Sequence, residues 1–140
     1  MESNGELEQK KAKRLLLITR IWSTVVIAFG LFIFLGYAIQ YLTTGVADPN
    51  LAENYPFIEN IPPILIMVSI FGLILAWKWV FAGGLMAIVF SVANFVIFLI
   101  HWPLSENLNY LIAPYGINLL ILIPGILYII YWDRLRKQKV

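Results

Sequence analysis

The stretch GLILAWKWVFAGG, residues 72–84, holds a single charged residue between two apolar runs. That residue, Lys78, is flanked by Trp77 and Trp79, and tryptophan is enriched where a bilayer meets water. A cation between two indole rings therefore indicates a turn at a membrane surface. Because so short a connection leaves two helices side by side, the stretch predicts a tight hairpin of antiparallel helices.

The composition of the chain places its apolar surface in lipid. The chain has 140 residues, of which 61% are hydrophobic, whereas soluble domains average about half. A single soluble core of this size could not bury so much apolar surface. We therefore expect one membrane domain, residues 1–140.

Four apolar stretches are predicted to cross the bilayer, which needs about 20 apolar residues in a helix. They are residues 21–41, 63–77, 80–100 and 111–132. The second is the shortest, and its flanking residues extend it to the membrane surfaces. The predicted fold is all-α, a four-helix transmembrane bundle with a tight hairpin between helices 2 and 3.

The distribution of charge predicts the direction of the helices. All ten lysines and arginines lie before or at the start of the first stretch, at Lys78, or after the fourth stretch. The opposite ends carry carboxylates, at Asp48, Glu53, Glu59 and Glu106. The positive-inside rule then places both termini in the cytoplasm. The basic segments 1–14 and 133–140 are cytoplasmic in this prediction, the loop 43–60 is outside, and the protein is a multi-pass protein of the cytoplasmic membrane.

Small residues predict where helices approach each other, since close packing of small side chains drives helix association in lipid. Gly83, Ala87 and Ser91 recur every four residues in the third stretch, and Gly72 and Ala76 form a similar pair in the second. We expect these two stripes to pack against each other in the hairpin. The alternative is that one stripe faces a second subunit.

Polar residues are few within the stretches, and most lie in the predicted outer half. One hypothesis is a pocket open to the outside; its predicted ligand-binding residues are Tyr37, Gln40, Asn94, His101, Tyr115 and Asn118. The alternative is a hydrogen bond between Asn94 and Asn118 that ties two helices together, because an unpaired amide is costly in lipid.

Two local signals concern the ends and the middle of helices. Ser3 and Glu6 have the spacing of a capping box, so the first helix is expected to begin in the cytosol and to continue into the membrane. Pro124 removes one backbone hydrogen bond from the fourth helix, where a kink is expected.

The chemistry that most enzymes use is missing. The chain has no cysteine and one histidine, which excludes disulfides, thiol nucleophiles and multi-histidine metal or haem sites within one subunit. No ionisable residue lies in the middle of a stretch, and His101 has no adjacent nucleophile. We therefore predict a non-enzyme with no cofactor, no metal site and no nucleic-acid partner.

Three segments carry a resemblance to a known family: TRIWS at 19–23, GLILAWKW at 72–79 followed by Gly83 and Gly84, and IPGILY at 123–128. Together they resemble a family of small prokaryotic four-span membrane proteins of uncharacterised function. The resemblance covers most of the chain except the outer loop. It implies a four-helix fold in a bacterial or archaeal plasma membrane, and it transfers no activity or catalytic residue.

Three functions are compatible with this sequence. The leading expectation is a protein that binds a lipid or lipophilic ligand from the outer face, or that serves as an accessory subunit of a membrane complex. The alternative is an oligomeric transporter or channel for a small neutral or lipophilic solute, which requires at least two copies because four short helices leave little room for a pathway. An immunity protein against a membrane-active toxin is a third, which no residue favours. Expected partners are membrane lipids, a second copy or a larger membrane complex.

Overall fold

The computed structural model describes residues 4–45, 61–103, 105 and 108–138. These residues form four α-helices and no strand, which confirms the predicted all-α class. The helices are α1 (Asn4–Thr44), α2 (Ile61–Leu75), α3 (Val80–His101) and α4 (Ile117–Gln138). A 3₁₀ turn at Leu108–Leu111 and a π-helical turn at Ile112–Gly116 lead into α4. Beyond Gly45, the predicted loop 43–60 lies outside the described residues, as does Glu106.

Three of the helices, α1, α3 and α4, are long and apolar enough to cross a membrane, whereas α2 is a shorter apolar helix of 15 residues. At 1.5 Å per residue α2 is about 22 Å long. Helix α2 ends before the predicted boundary at residue 77 because the backbone changes from α-helical to 3₁₀ hydrogen bonding there. The amides of Trp77 and Lys78 bond to carbonyls three residues back, at 3.2 and 3.1 Å, which is 3₁₀ rather than α geometry.

Helix α1 runs without a break for 41 residues, so the basic segment and the first apolar stretch form one rod. It ends where Gly45 adopts a φ of 74°. This left-handed conformation costs little for glycine and is a frequent way to end a helix. The capping residue predicted at Ser3 lies outside the described part of the chain.

Helices α2 and α3 approach each other closely at two glycines whose added Cβ would meet the opposite backbone. A Cβ added at Gly72 would lie 2.8 Å from the Ala87 amide nitrogen, and one added at Gly83 would lie 2.5 Å from the Gly72 carbonyl oxygen and still closer to the Ala76 amide. The paired positions run in opposite order along the two helices, which are therefore antiparallel.

Helix α4 packs on the other side of α3 in the same manner. A Cβ at Gly84 would lie 3.0 Å from Tyr128 Cβ, and one at Gly125 would lie 3.1 Å from Ile88 Cγ1. Pro124 lies inside α4 and is buried. The buried core is shared by α2, α3 and α4 and consists of Ile70, Leu73, Ala76, Ala87, Ile121 and Tyr128.

Helix α1 is attached to this three-helix core at a few points. The hydroxyls of Ser23 and Tyr128, both buried, lie 2.9 Å apart, and Gly30 packs against the Ile70 side chain. The C-terminal half of α1 is largely exposed, with Phe32 at 75% and Leu42 at 82%. A groove therefore opens between this helix and the core.

Candidate ligand-binding groove and buried polar cluster

The groove between α1 and the core has a volume of about 1100 Å³. Val25, Phe29 and Ile33 line it from α1, Met67 from α2, and Leu120 from α4. On α1 the lining extends from Ile18 to Tyr37, which is about 28 Å at the rise of an α-helix. The groove is therefore nearly as long as the hydrocarbon core of a bilayer is thick, about 30 Å.

The walls of the groove are almost wholly apolar. Apart from Trp22 and Tyr37, every lining residue is aliphatic, phenylalanine, methionine, glycine or proline. The indole nitrogen of Trp22 is already bonded, since it donates to the Leu120 carbonyl oxygen at 3.2 Å. Tyr37, at the C-terminal end of the α1 lining, is the other lining residue with a polar side-chain atom. Such a surface suits a hydrocarbon chain with a polar group at one end.

A separate cluster of buried polar side chains belongs to α3 and α4. Ser91, Asn94 and Asn118 are at most 1% exposed. The Asn118 amide nitrogen donates to the Ser91 carbonyl oxygen at 2.7 Å. This bond ties α4 to the backbone of α3, a role that the sequence suggested for a bond between Asn94 and Asn118.

Four polar atoms in this cluster have no hydrogen-bond partner among the described residues. They are both amide atoms of Asn94, the Asn118 carbonyl oxygen and the Ser91 hydroxyl. An unpaired amide in apolar surroundings costs several kcal/mol against a hydrocarbon reference. Burial of the Asn94 amide therefore destabilises the described fold, unless a small polar molecule forms hydrogen bonds with it.

Tyr115 has a structural role. Its hydroxyl donates to the Trp102 carbonyl oxygen at 3.0 Å, beyond the end of α3. Its ring meets Phe95 edge-on with the centroids 5.2 Å apart. The buried phenol therefore closes the end of the α3–α4 contact, where it satisfies a carbonyl that the helix end leaves free.

The six predicted ligand-binding residues do not meet in a single pocket. Tyr37 lines the groove, and Gln40 is half-buried one turn further along α1. Asn94 is buried on α3, Asn118 is buried on α4, and Tyr115 is buried in the turn before α4. The sixth, at the end of α3, is His101, which is exposed.

The five predicted packing residues are all buried. Gly72 on α2 and Ala76, directly after it, face Ala87 and Gly83 on α3. The fifth, Ser91, is buried and offers its carbonyl to Asn118.

The groove itself was not identified in the sequence. Its walls are built from the same residue types that face lipid elsewhere, so no compositional signal separates Val25 in the groove from Val92 on the α3 surface. Gly30, whose contact with Ile70 sets where α1 rests on the core, was the one available hint.

Comparison with known proteins places the chain in a family. No curated protein and no solved structure matches it significantly. The model of one family, the domain of unknown function DUF7670, matches residues 8–140, which include all the apolar stretches and the C-terminal basic segment. The chain therefore belongs to the DUF7670 family, whose function is unknown.

Proposed function

We propose that this chain is a non-enzymatic integral protein of the plasma membrane that binds the apolar chain of a lipophilic ligand in the groove between α1 and the core. In this proposal the protein crosses the bilayer four times with both termini in the cytoplasm. The three long apolar helices and the distribution of the ten lysines and arginines support this topology.

The short helix α2 is compatible with a fourth crossing. It packs antiparallel against α3 through Gly72 and Gly83, so both helices leave the turn at Lys78 in the same direction. A helix of about 22 Å is shorter than the hydrocarbon core. Local thinning of the bilayer accommodates such a mismatch at a modest cost.

The shape and chemistry of the groove carry the proposal. Its volume of about 1100 Å³ is near the upper end of the range for small-molecule sites. The apolar walls favour a hydrocarbon chain, and Tyr37 offers one hydroxyl at the end that the topology places towards the outside. Gln40 follows one turn later on α1. The ligand is therefore an amphiphile from the outer leaflet, with its polar end near Tyr37.

The test compares ligand retention in two matched variants. Val25 lines the groove and is 64% exposed, whereas Val92 lies on α3, outside the groove lining, and is 46% exposed. A tryptophan at position 25 narrows the groove, and a tryptophan at position 92 lies outside it. Native mass spectrometry from nanodiscs and mild detergent reports both copy number and retained small molecules.

We expect a monomer that retains lipophilic mass, with retention lowered in Val25→Trp and unchanged in Val92→Trp. Equal retention in all three proteins would show that the adducts are ordinary surrounding lipid. A stable dimer without adducts would favour the oligomeric transporter over ligand binding in the groove.

A further inference from the structure

Arg20 lies at the turn between α2 and α3 and is held by an aromatic ring rather than by a carboxylate. Its guanidinium carbon is 5.4 Å from the centre of the Trp77 ring, a distance at which a cation is attracted to the ring face. Its Nη2 lies 3.5 Å from the Trp77 carbonyl oxygen, the long limit of a hydrogen bond. Its Nε is buried and has no partner in the described part of the chain.

A second cation is fixed beside it in the same manner. Lys78 follows Trp77 directly, and its ammonium lies 5.4 Å from the centre of the Trp79 ring. The peptide group that Arg20 approaches joins Trp77 to Lys78. Two cations from different parts of the chain therefore lie at one turn, each over the ring of a different exposed tryptophan.

Two acidic groups at the same end of the bundle, Glu8 and Asp133, are paired with lysines. Glu8 lies 2.8 Å from Lys11, and Asp133 lies 2.7 Å from Lys137, each within its own helix. The hydrogen bond from Lys11 holds the pKa of Glu8 below its ordinary value. These carboxylates are thus engaged by lysines, which leaves the charge of Arg20 and Lys78 available to an external anion.

We propose that Arg20 and Lys78 form a binding site for the phosphate of an anionic phospholipid in the cytoplasmic leaflet. The proposal rests on the topology proposed above, which places this turn at the cytoplasmic surface. A guanidinium donates to phosphate in a fixed fork, and the ammonium adds a second charge. Because exposed Trp77 and Trp79 flank the cations, the anion is expected to arrive on a lipid, whose headgroup lies at the depth that indole rings favour.

The experiment measures which lipids remain bound after extraction. Nanodiscs contain equal amounts of phosphatidylglycerol and phosphatidylcholine with identical acyl chains, and native mass spectrometry counts the lipids retained on the protein. The test variant is Arg20→Gln/Lys78→Gln. The matched control is Lys13→Gln/Arg14→Gln, which removes the same charge from exposed positions of α1 on the same side.

The wild type is expected to retain phosphatidylglycerol in preference to phosphatidylcholine. A hydrogen bond to a charged group contributes about ten-fold or more to affinity, so the preference should fall about ten-fold in the test variant, which loses its contacts to the phosphate, and remain in the control. If the double variant does not fold, the same lipid preference is measured in Lys78→Gln alone, which changes only an exposed residue of the turn. An equal loss in test and control, or no preference in the wild type, would overturn the site.

Two further measurements distinguish this proposal from binding of a soluble anion and from lipid binding in the groove. Inorganic phosphate added to the nanodiscs should not displace the retained phosphatidylglycerol; displacement would identify a soluble anion as the ligand and overturn the lipid assignment. The groove variant Val25→Trp should lower total retention without changing the headgroup preference. A headgroup preference that persists while Val25→Trp has no effect would refute the groove and leave the phosphate site standing.

Discussion

The indole nitrogen of Trp22 donates a hydrogen bond to the carbonyl oxygen of Leu120 at 3.2 Å. In a regular helix that carbonyl would accept from the amide of residue 124, but Pro124 has no N–H to donate. Helix α1 therefore supplies the donor that α4 lacks. The expected kink site of α4 is also where the otherwise loosely attached α1 is joined to it.

Replacing Trp22 by Phe should lower the free energy of unfolding by about 1 kcal/mol, because a carbonyl facing an apolar groove loses its partner. The loss should be smaller in a Pro124→Ala background, where residue 124 regains an amide for Leu120. A double-mutant cycle of Trp22→Phe and Pro124→Ala, measured by unfolding in mixed micelles, isolates this coupling. Equal losses in both backgrounds would contradict the pairing.

The sequence alone predicts one of the two partners in this contact. Pro124 lacks an amide N–H in any environment, so a kink in α4 could be expected at that residue. Trp22 supplies the replacement donor because α1 lies against α4 at this point. The residue pattern of either helix alone does not predict how the two helices pack. By its position alone, a tryptophan at the start of an apolar stretch indicates an interfacial anchor.

Gly83→Ala should destabilise the protein, since its new Cβ would meet the backbone of α2 at Ala76 and Gly72. Backbone atoms cannot move aside as a flexible side chain can, so the helices must separate and lose packing across their whole contact. A loss of about 2 kcal/mol is expected, the usual range for overpacking. Thermal unfolding in detergent gives the comparison.

The control for that variant is Gly36→Ala on α1, where an added Cβ meets no described atom within 4 Å. There the helix propensity of alanine should dominate and raise stability slightly, by up to about 1 kcal/mol. If both variants change stability equally, the close α2–α3 contact is not what requires glycine at position 83.

Asn94→Leu and Asn118→Leu should have different effects on stability. Asn118→Leu removes the bond to the Ser91 carbonyl, so a loss of about 0.5–1 kcal/mol is expected. Asn94→Leu removes an amide whose two polar atoms have no partner in the described chain, so the free energy of unfolding should stay constant or rise. A larger loss in Asn94→Leu than in Asn118→Leu would show that Asn94 binds a water or a ligand.

The site was less predictable than the fold for a physical reason. Crossing a bilayer demands long apolar runs with charges at their ends, so α1, α3, α4 and the turn at Lys78 are encoded locally. The groove exists because α1 rests on the core at Gly30 and Ser23 and then diverges from it. Lipid-facing and groove-facing residues are chemically alike, and only their arrangement in space distinguishes them.

Sidedness of the bundle can be tested because the natural chain has no cysteine, so one introduced thiol is the sole labelling site. Position 78 lies in the turn between α2 and α3, and position 53 belongs to the predicted outer loop 43–60, outside the described residues. A membrane-impermeant maleimide applied to intact cells should label Glu53→Cys and spare Lys78→Cys, which should react only after the cells are opened. Labelling of Lys78→Cys in intact cells would show that the orientation is the reverse of the one proposed. Tyr37 would then lie on the cytoplasmic side, and Arg20 would not lie in the leaflet in which its lipid is proposed to be.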